Sequence, residues 1–258
     1  MSIATSADGT EISYTTTGAG PAVVVVVNGA LSTAADAGPL AEALAQSGFR
    51  AVTWDRRARG ASGDRPDSAP ADEADDLAAV IAAVGGADAV LGHSSGAILA
   101  LFAASRGVPT GALFLSEPPI DFDGEGWGEE LPRPLQELVD AARHDDAVAM
   151  FQRDAVGLPA EMVEAGRASG QLAALAPLAQ STVYDARLTL RYRRPDAALL
   201  DVDVPVTVLR GAQTFPFLVA SSDRLAAEIE DAGLVIVPES VMHRADPVAT
   251  ARVIAERA

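Results

Sequence analysis

ADAVLGHSSGAILALFAASR (Ala87–Arg106) holds a strand, a turn and a helix in one uninterrupted run. Its first part, ADAVLGH, is the short apolar run expected of a strand buried in a sheet. Its last part, SSGAILALFAASR, is apolar on most sides and reads as a buried helix. Between them, Gly92-His93-Ser94-Ser95-Gly96 has the form G-x-S-x-G. A strand that turns at once into a helix lifts one side chain above the sheet edge. Small residues two positions before and two after prevent clashes with the neighbouring strand and helix. Only the central position is presented in this way, so Ser94 is the candidate nucleophile. Ser95 offers its backbone N–H at the start of the helix, where an oxyanion can be stabilised. The plainer reading of the same pentapeptide is a glycine-bounded helix start.

The flanking chain repeats the alternation. EISYTTTG (Glu11–Gly18) reads as an early antiparallel strand, and AVVVVVNG (Ala22–Gly29) as a β-branched strand covered on both faces. A helix is expected over Pro39–Gln46, a strand over Phe49–Asp55, a helix over Asp72–Val84 with acidic residues in its first turn, and a strand over Gly111–Glu117. From Pro118 to Leu199 strand signals fade and amphipathic helical stretches take over. VPVTVLRG (Val204–Gly211) and GLVIVPES (Gly233–Ser240) then resume the strands, separated by the helix FLVASSDRLAAEIEDA, and PVATARVIAERA closes the chain as a helix. The pattern implies an α/β fold: a mostly parallel sheet with helices on both faces. Residues 1–117 and 200–258 are expected to form the core, and 118–199 an inserted helical cap.

Composition narrows the chemistry. The 258 residues are 49% hydrophobic, enough for a substantial core, and no apolar run approaches the roughly 20 residues of a membrane span. The start, MSIATSADGTEISY, lacks a basic n-region and an apolar signal core. There is no cysteine, which excludes disulfides and thiolate metal sites; a cytoplasmic location is expected. A formal net charge of −17 speaks against nucleic acid and anionic membrane partners. No lysine is present, so Schiff-base chemistry and the lysine-dependent phosphate loop are excluded. These biases also fit a GC-rich genome. The three histidines, His93, His144 and His243, have no ligand spacing, so no metal or other cofactor is expected.

With the Ser94 elbow in this context, the chain resembles the α/β-hydrolase superfamily from about Glu11 to Ala258, which implies an eight-stranded-type sheet. VVVVVNGA resembles the strand and turn that help form the family's oxyanion hole. Asn28-Gly29 stands for the usual His-Gly, so Ala30 supplies the expected second N–H beside that of Ser95. WDRRARGASG (Trp54–Gly63) resembles the Asp-x-Arg-Gly-x-Gly-x-Ser turn, with Ala58 replacing its first glycine, and its arginines are read as structural. VPESVMHRADP (Val237–Pro247) resembles the loop carrying the catalytic histidine, which identifies His243 as the expected base. His93 is expected to pack within the elbow, and His144 to be a solvated residue.

The acid departs from the family pattern. Most members carry an Asp just beyond a glycine after the strand that follows the cap, but here the place reads LRGAQTFPF, without a carboxylate. In some members the acid follows the strand after the nucleophile helix, and Glu117 ends that strand in LFLSEPPI. Asp185, in STVYDARL, is the second candidate; Asp121, Asp123 and Asp201 are less well placed. The plain reading of Glu117-Pro118-Pro119 is a strand terminator.

A serine at the elbow favours acyl transfer on esters, thioesters, lactones or activated amides through an acyl-enzyme. Trp127, Phe122, Met150, Phe151, Met162 and Tyr184 in the cap, with Phe215 and Phe217 beyond Gly211, suit a small, uncharged, partly hydrophobic substrate; the same residues also suit plain packing. Two other classes stay open. One is a non-hydrolytic enzyme on this scaffold, such as a perhydrolase, lyase or acyltransferase. The other is a binding protein with impaired catalysis. The oligomeric state is not legible.

Overall fold

The computed structural model describes residues 1–122 and 130–258, so Asp123 and Trp127 lie outside the described residues. Among the described residues eight strands form one sheet: β1 (Ser2–Thr5), β2 (Glu11–Thr17), β3 (Val23–Val27), β4 (Arg50–Trp54), β5 (Ala89–His93), β6 (Ala112–Ser116), β7 (Val206–Gln213) and β8 (Gly233–Val241). Their order is β1-β2-β4-β3-β5-β6-β7-β8. β2 is antiparallel to β1 and β4, and all the other neighbours are parallel.

The helices are α1 (Gly38–Gln46), α2 (Pro70–Ala83), α3 (Ser95–Ser105), α4 (Pro132–Asp140), α5 (His144–Asp154), α6 (Ala160–Ala168), α7 (Gln171–Leu175), α8 (Ala179–Tyr192), α9 (Ala197–Leu200), α10 (Pro216–Glu228) and α11 (Pro247–Arg257). β3 shows why the sheet is covered twice. Its five valines are all buried, and they alternate between two apolar clusters. Val23, Val25 and Val27 join Leu77 of α2 and Ile98 of α3 on one face, while Val24 and Val26 join Leu44 of α1 and Ile254 of α11 on the other. Burial of each such side chain contributes about 1.5–3 kcal/mol relative to exposure.

Helices α4 to α9 lie between β6 and β7. Leu135, Val148, Phe151, Val163, Leu172 and Val183 form a third apolar cluster within them. α8 spans two clusters, since Leu188 belongs to the one on the sheet face. Among the described residues no helix is long and apolar enough to cross a membrane.

The strand order fixes where a ligand can sit. After β3 the chain moves to β4 on one side and returns to β5 on the other. The crevice beyond the carboxyl ends of β3 and β5 is therefore the switch point of the sheet, where open α/β sheets bind ligands. Asn28–Leu31 leave β3 there, and Ser94 leaves β5.

Candidate active site

Ser94 joins β5 to α3 with φ 55° and ψ −125°. This left-handed backbone costs a non-glycine residue roughly 1–2 kcal/mol. Close contacts on all sides enforce it. A Cβ on Gly92 would overlap the Gly96 carbonyl oxygen and the Ala97 backbone, and one on Gly96 would overlap the carbonyl oxygens of Val27 and Asn28. A Cβ on Gly29 would come within 2.9 Å of Ser94 Cβ, so the turn after β3 presses directly against the serine. The Ser94 N–H donates to the Ser116 carbonyl at 2.9 Å, tying the elbow to β6.

Non-glycine residues with positive φ recur along this edge. Leu31 follows β3, Ala58 follows β4, Glu117 follows β6, and Met242 and His243 follow β8. The Met242–His243 turn is closed by reciprocal bonds between Val241 and Arg244, and the Met242 N–H donates to the Gln213 carbonyl at 2.8 Å.

That turn brings His243 to Glu117. The imidazole Nδ1 lies 2.6 Å from Glu117 Oε2, and the other carboxylate oxygen accepts the Gly211 N–H at 2.8 Å. The Glu117 side chain is only 4% exposed. Burial alone would raise its pKa, but the bonds from His243 and Gly211 outweigh it and hold the carboxyl below the usual range. Against an ionised carboxylate Nδ1 carries the proton, and in the neutral ring Nε2 is left as an acceptor.

Ser94, His243 and Ala30 line one cavity of about 880 Å³. Ser95 is buried at the first turn of α3. Among the described residues, neither the Ala30 nor the Ser95 N–H has a protein acceptor. His93 also lines the cavity. Its ring centroid lies 4.7 Å from that of His243, and its Nδ1 is 3.2 Å from Ser116 Oγ. Burial and the neighbouring His243 lower the His93 pKa to about 4, so this ring is neutral near pH 7.

Asp185 has different neighbours. It is fully buried and receives Arg59 Nη2 at 2.7 Å, Arg56 Nη1 at 2.9 Å and Ser95 Oγ at 2.7 Å. Arg56 also pairs with Glu73 of α2, and Arg57 with Asp76. The arginines of WDRRARGASG thus bind the turn after β4 to α2 and α8. Asp201 is exposed just beyond α9, and His144 is exposed at the start of α5. Of the apolar residues assigned to a pocket from the sequence, Phe151 lines the cavity. Tyr184 is buried and donates its hydroxyl to Asp64, Phe122 packs against the sheet-face cluster, and Met150 packs against the inserted helices. Met162, Phe215 and Phe217 are exposed. Val156, Leu158 and Gln152, which sequence reasoning did not single out, line the cavity beside Phe151.

The sequence profile described as the alpha/beta hydrolase family matches residues 24–253. No curated protein sequence matches the chain. Among solved structures, an alpha/beta hydrolase from Sphaerobacter thermophilus is 36% identical, with a TM-score of 0.89 and 99% of each chain covered. A thermophilic esterase from Thermogutta terrifontis is 20% identical, with a TM-score of 0.71 over 99% of this chain and 95% of that one. An enol-lactonase from Burkholderia xenovorans is 20% identical, with a TM-score of 0.65 over 99% and 97%. The last two likenesses are likenesses of fold.

Proposed function

Because this chain belongs to the alpha/beta hydrolase family, we propose that it is a serine hydrolase cleaving an ester, lactone or thioester bond of a small, partly hydrophobic substrate. The observation that carries this reading is the 2.6 Å bond between His243 and Glu117, beside a cavity that His243 shares with Ser94. Ser94 Oγ attacks the acyl carbon, and His243 Nε2 takes its proton. The carbonyl oxygen becomes an oxyanion facing the N–H groups of Ala30 and Ser95. Collapse of this intermediate breaks the bond to the leaving group, which receives the proton from His243. Water then attacks the acyl-enzyme by the same route and releases the acid. Glu117 holds the imidazole in the working tautomer and stabilises it when charged.

Residues 118–199 act as the cap on a core formed by 1–117 and 200–258, and contribute Phe151, Gln152, Val156 and Leu158 to the cavity wall. Among the described residues, Asp36, Glu239 and Asp246 line the cavity with one arginine, Arg244, which favours neutral over anionic substrates. The Glu117 bond supplies the partner missing from GAQTF, and so supports turnover over binding alone.

The test is a panel of p-nitrophenyl esters of increasing chain length. Ser94→Ala and His243→Ala should abolish turnover with folding intact. Ser95→Ala, which keeps the backbone donor, should be far milder. Equal losses at Ser94 and Ser95, or full activity without His243, would sink the assignment.

A further inference from the structure

Among the buried carboxylates that the proposed reaction leaves unused is Asp185. Asp185 stands where both oxyanion-donor peptides are held. Arg59, which gives Nη2 to Asp185, gives Nη1 to the Gly29 carbonyl at 2.6 Å. Ser32 Oγ donates to the same carbonyl at 2.7 Å. The Gly29 carbonyl and the Ala30 N–H belong to one trans peptide and point to opposite sides of it. Gripping the carbonyl therefore turns the Ala30 N–H the other way, and Ala30 lines the cavity with Ser94. Gly29 lacks a Cβ, so its own side chain does nothing to hold this peptide in one orientation, and the grip on its carbonyl does. The third partner of Asp185 is the hydroxyl of Ser95, whose own N–H is the other donor.

We propose that Asp185 is a positioning residue for the oxyanion hole: from α8 it fixes, through Arg59 and Ser95, the two peptides that carry the donors. The charges around it balance, with Arg56 and Arg59 set against Asp185 and Glu73. Burial would raise the Asp185 carboxyl, but the guanidiniums of Arg59 and Arg56 and the Ser95 hydroxyl hold it below the ordinary range. It therefore stays charged and keeps Arg59 in place throughout a reaction. The inserted helices thus reach the reacting centre without touching substrate.

The inference rests on the serine-hydrolase reading, and its test separates the two. Wild type, Asp185→Asn and Ser32→Ala are labelled to completion with a fluorophosphonate to count working sites. Turnover of p-nitrophenyl butyrate and inhibition by phenylboronic acid, a mimic of the tetrahedral intermediate, are then measured per labelled site. Loss of one oxyanion donor typically costs about 10²–10³-fold in kcat, and a misdirected donor less. Asp185→Asn should therefore lose on the order of 10- to 100-fold in kcat, with KM within about twofold and an unchanged pH profile. Phenylboronic acid should weaken in proportion. Ser32→Ala should lose several-fold, and Ser32→Thr should restore it. If Asp185→Asn does not fold, Ser32→Ala decides, because it loosens the same carbonyl and leaves the ion network whole. Wild-type kcat per labelled site in Ser32→Ala, or in folded Asp185→Asn, overturns the inference alone. A wild type that is neither labelled at Ser94 nor active on esters overturns the serine-hydrolase reading and takes this inference with it.

Discussion

Glu117 and Asp185 are both buried carboxylates, and both are held below the ordinary carboxylate range, yet their surroundings differ in kind. Glu117 meets the Gly211 N–H and a titratable ring, that of His243, which lines the cavity. Asp185 meets two guanidiniums and a hydroxyl, shut away from solvent. An imidazole gains and loses its charge within a reaction cycle, so its carboxylate partner can answer that change. A guanidinium never deprotonates in proteins, so a carboxylate between two of them can only hold position. On the proposed reading, two similar side chains are thereby given different tasks by their partners.

The strongest way to break this contrast is to neutralise each carboxylate without changing its shape. Glu117→Gln keeps an acceptor for the Gly211 N–H but removes the charge that His243 needs. Turnover should fall on the order of 10⁴-fold, the loss seen when a serine triad keeps its geometry with the wrong tautomer. Tm should move little. A Glu117→Gln enzyme within tenfold of wild type would remove Glu117 from the reaction. Asp185→Asn should reverse the balance. Leaving Arg56 and Arg59 buried beside a neutral amide costs about 3–5 kcal/mol, on the order of 10 °C in Tm. Thermal unfolding of the two variants side by side would show whether the contrast holds.

A smaller effect sharpens the comparison at His93, the ring beside His243. Its pKa is lowered from 6.5 to about 4 in the folded protein. Between those values the unfolded chain binds a proton that the folded chain does not, so stability is complete above about 6.5 and falls as the pH drops through the window. His93→Gln should flatten that decline by up to about 3 kcal/mol, measured by urea unfolding at several pH values from 7 to 4. Identical slopes in the two proteins would show that His93 titrates normally.

Most of the strand framework was legible because both-face burial writes itself as runs such as VVVVV and AVLGH. β1 was not, because Ser2–Thr5 is a short edge strand with a single buried residue, Ala4. The elbow was legible because its pentapeptide sits between a strand run and a helix run in one unbroken stretch, although the contact that demands Gly96 comes from the distant Val27 and Asn28. Glu117 was singled out from the lack of a carboxylate in GAQTF together with its place at the end of the strand after the nucleophile helix, where some members of the family resembled carry the acid. Its bond to His243 was not legible, because it spans 126 positions. The partners of Arg56 and Arg59 were hidden for the same reason: Asp185 lies 129 and 126 positions away. The turn could be read as structural, but not what it was tied to. His93 was expected inside the elbow's packing, whereas it also lines the cavity beside His243, because a strand end shows one side to the neighbouring loop. The aromatics misled, for composition cannot separate a cavity wall from a packed or exposed face, and of the described ones named for the pocket Phe151 alone lines it.

The left-handed residues beyond β3, β4, β5, β6 and β8 carry a consequence for how this molecule can evolve. Each is a position where a side chain persists although glycine would suit the backbone better. Serine, glutamate and histidine at three of them are the groups on which the proposed chemistry depends. Exchange of such residues for glycine relaxes the chain at the same moment as it abolishes reactivity. At this rim backbone ease and the proposed reactivity pull in opposite directions, the usual form of a trade between stability and activity.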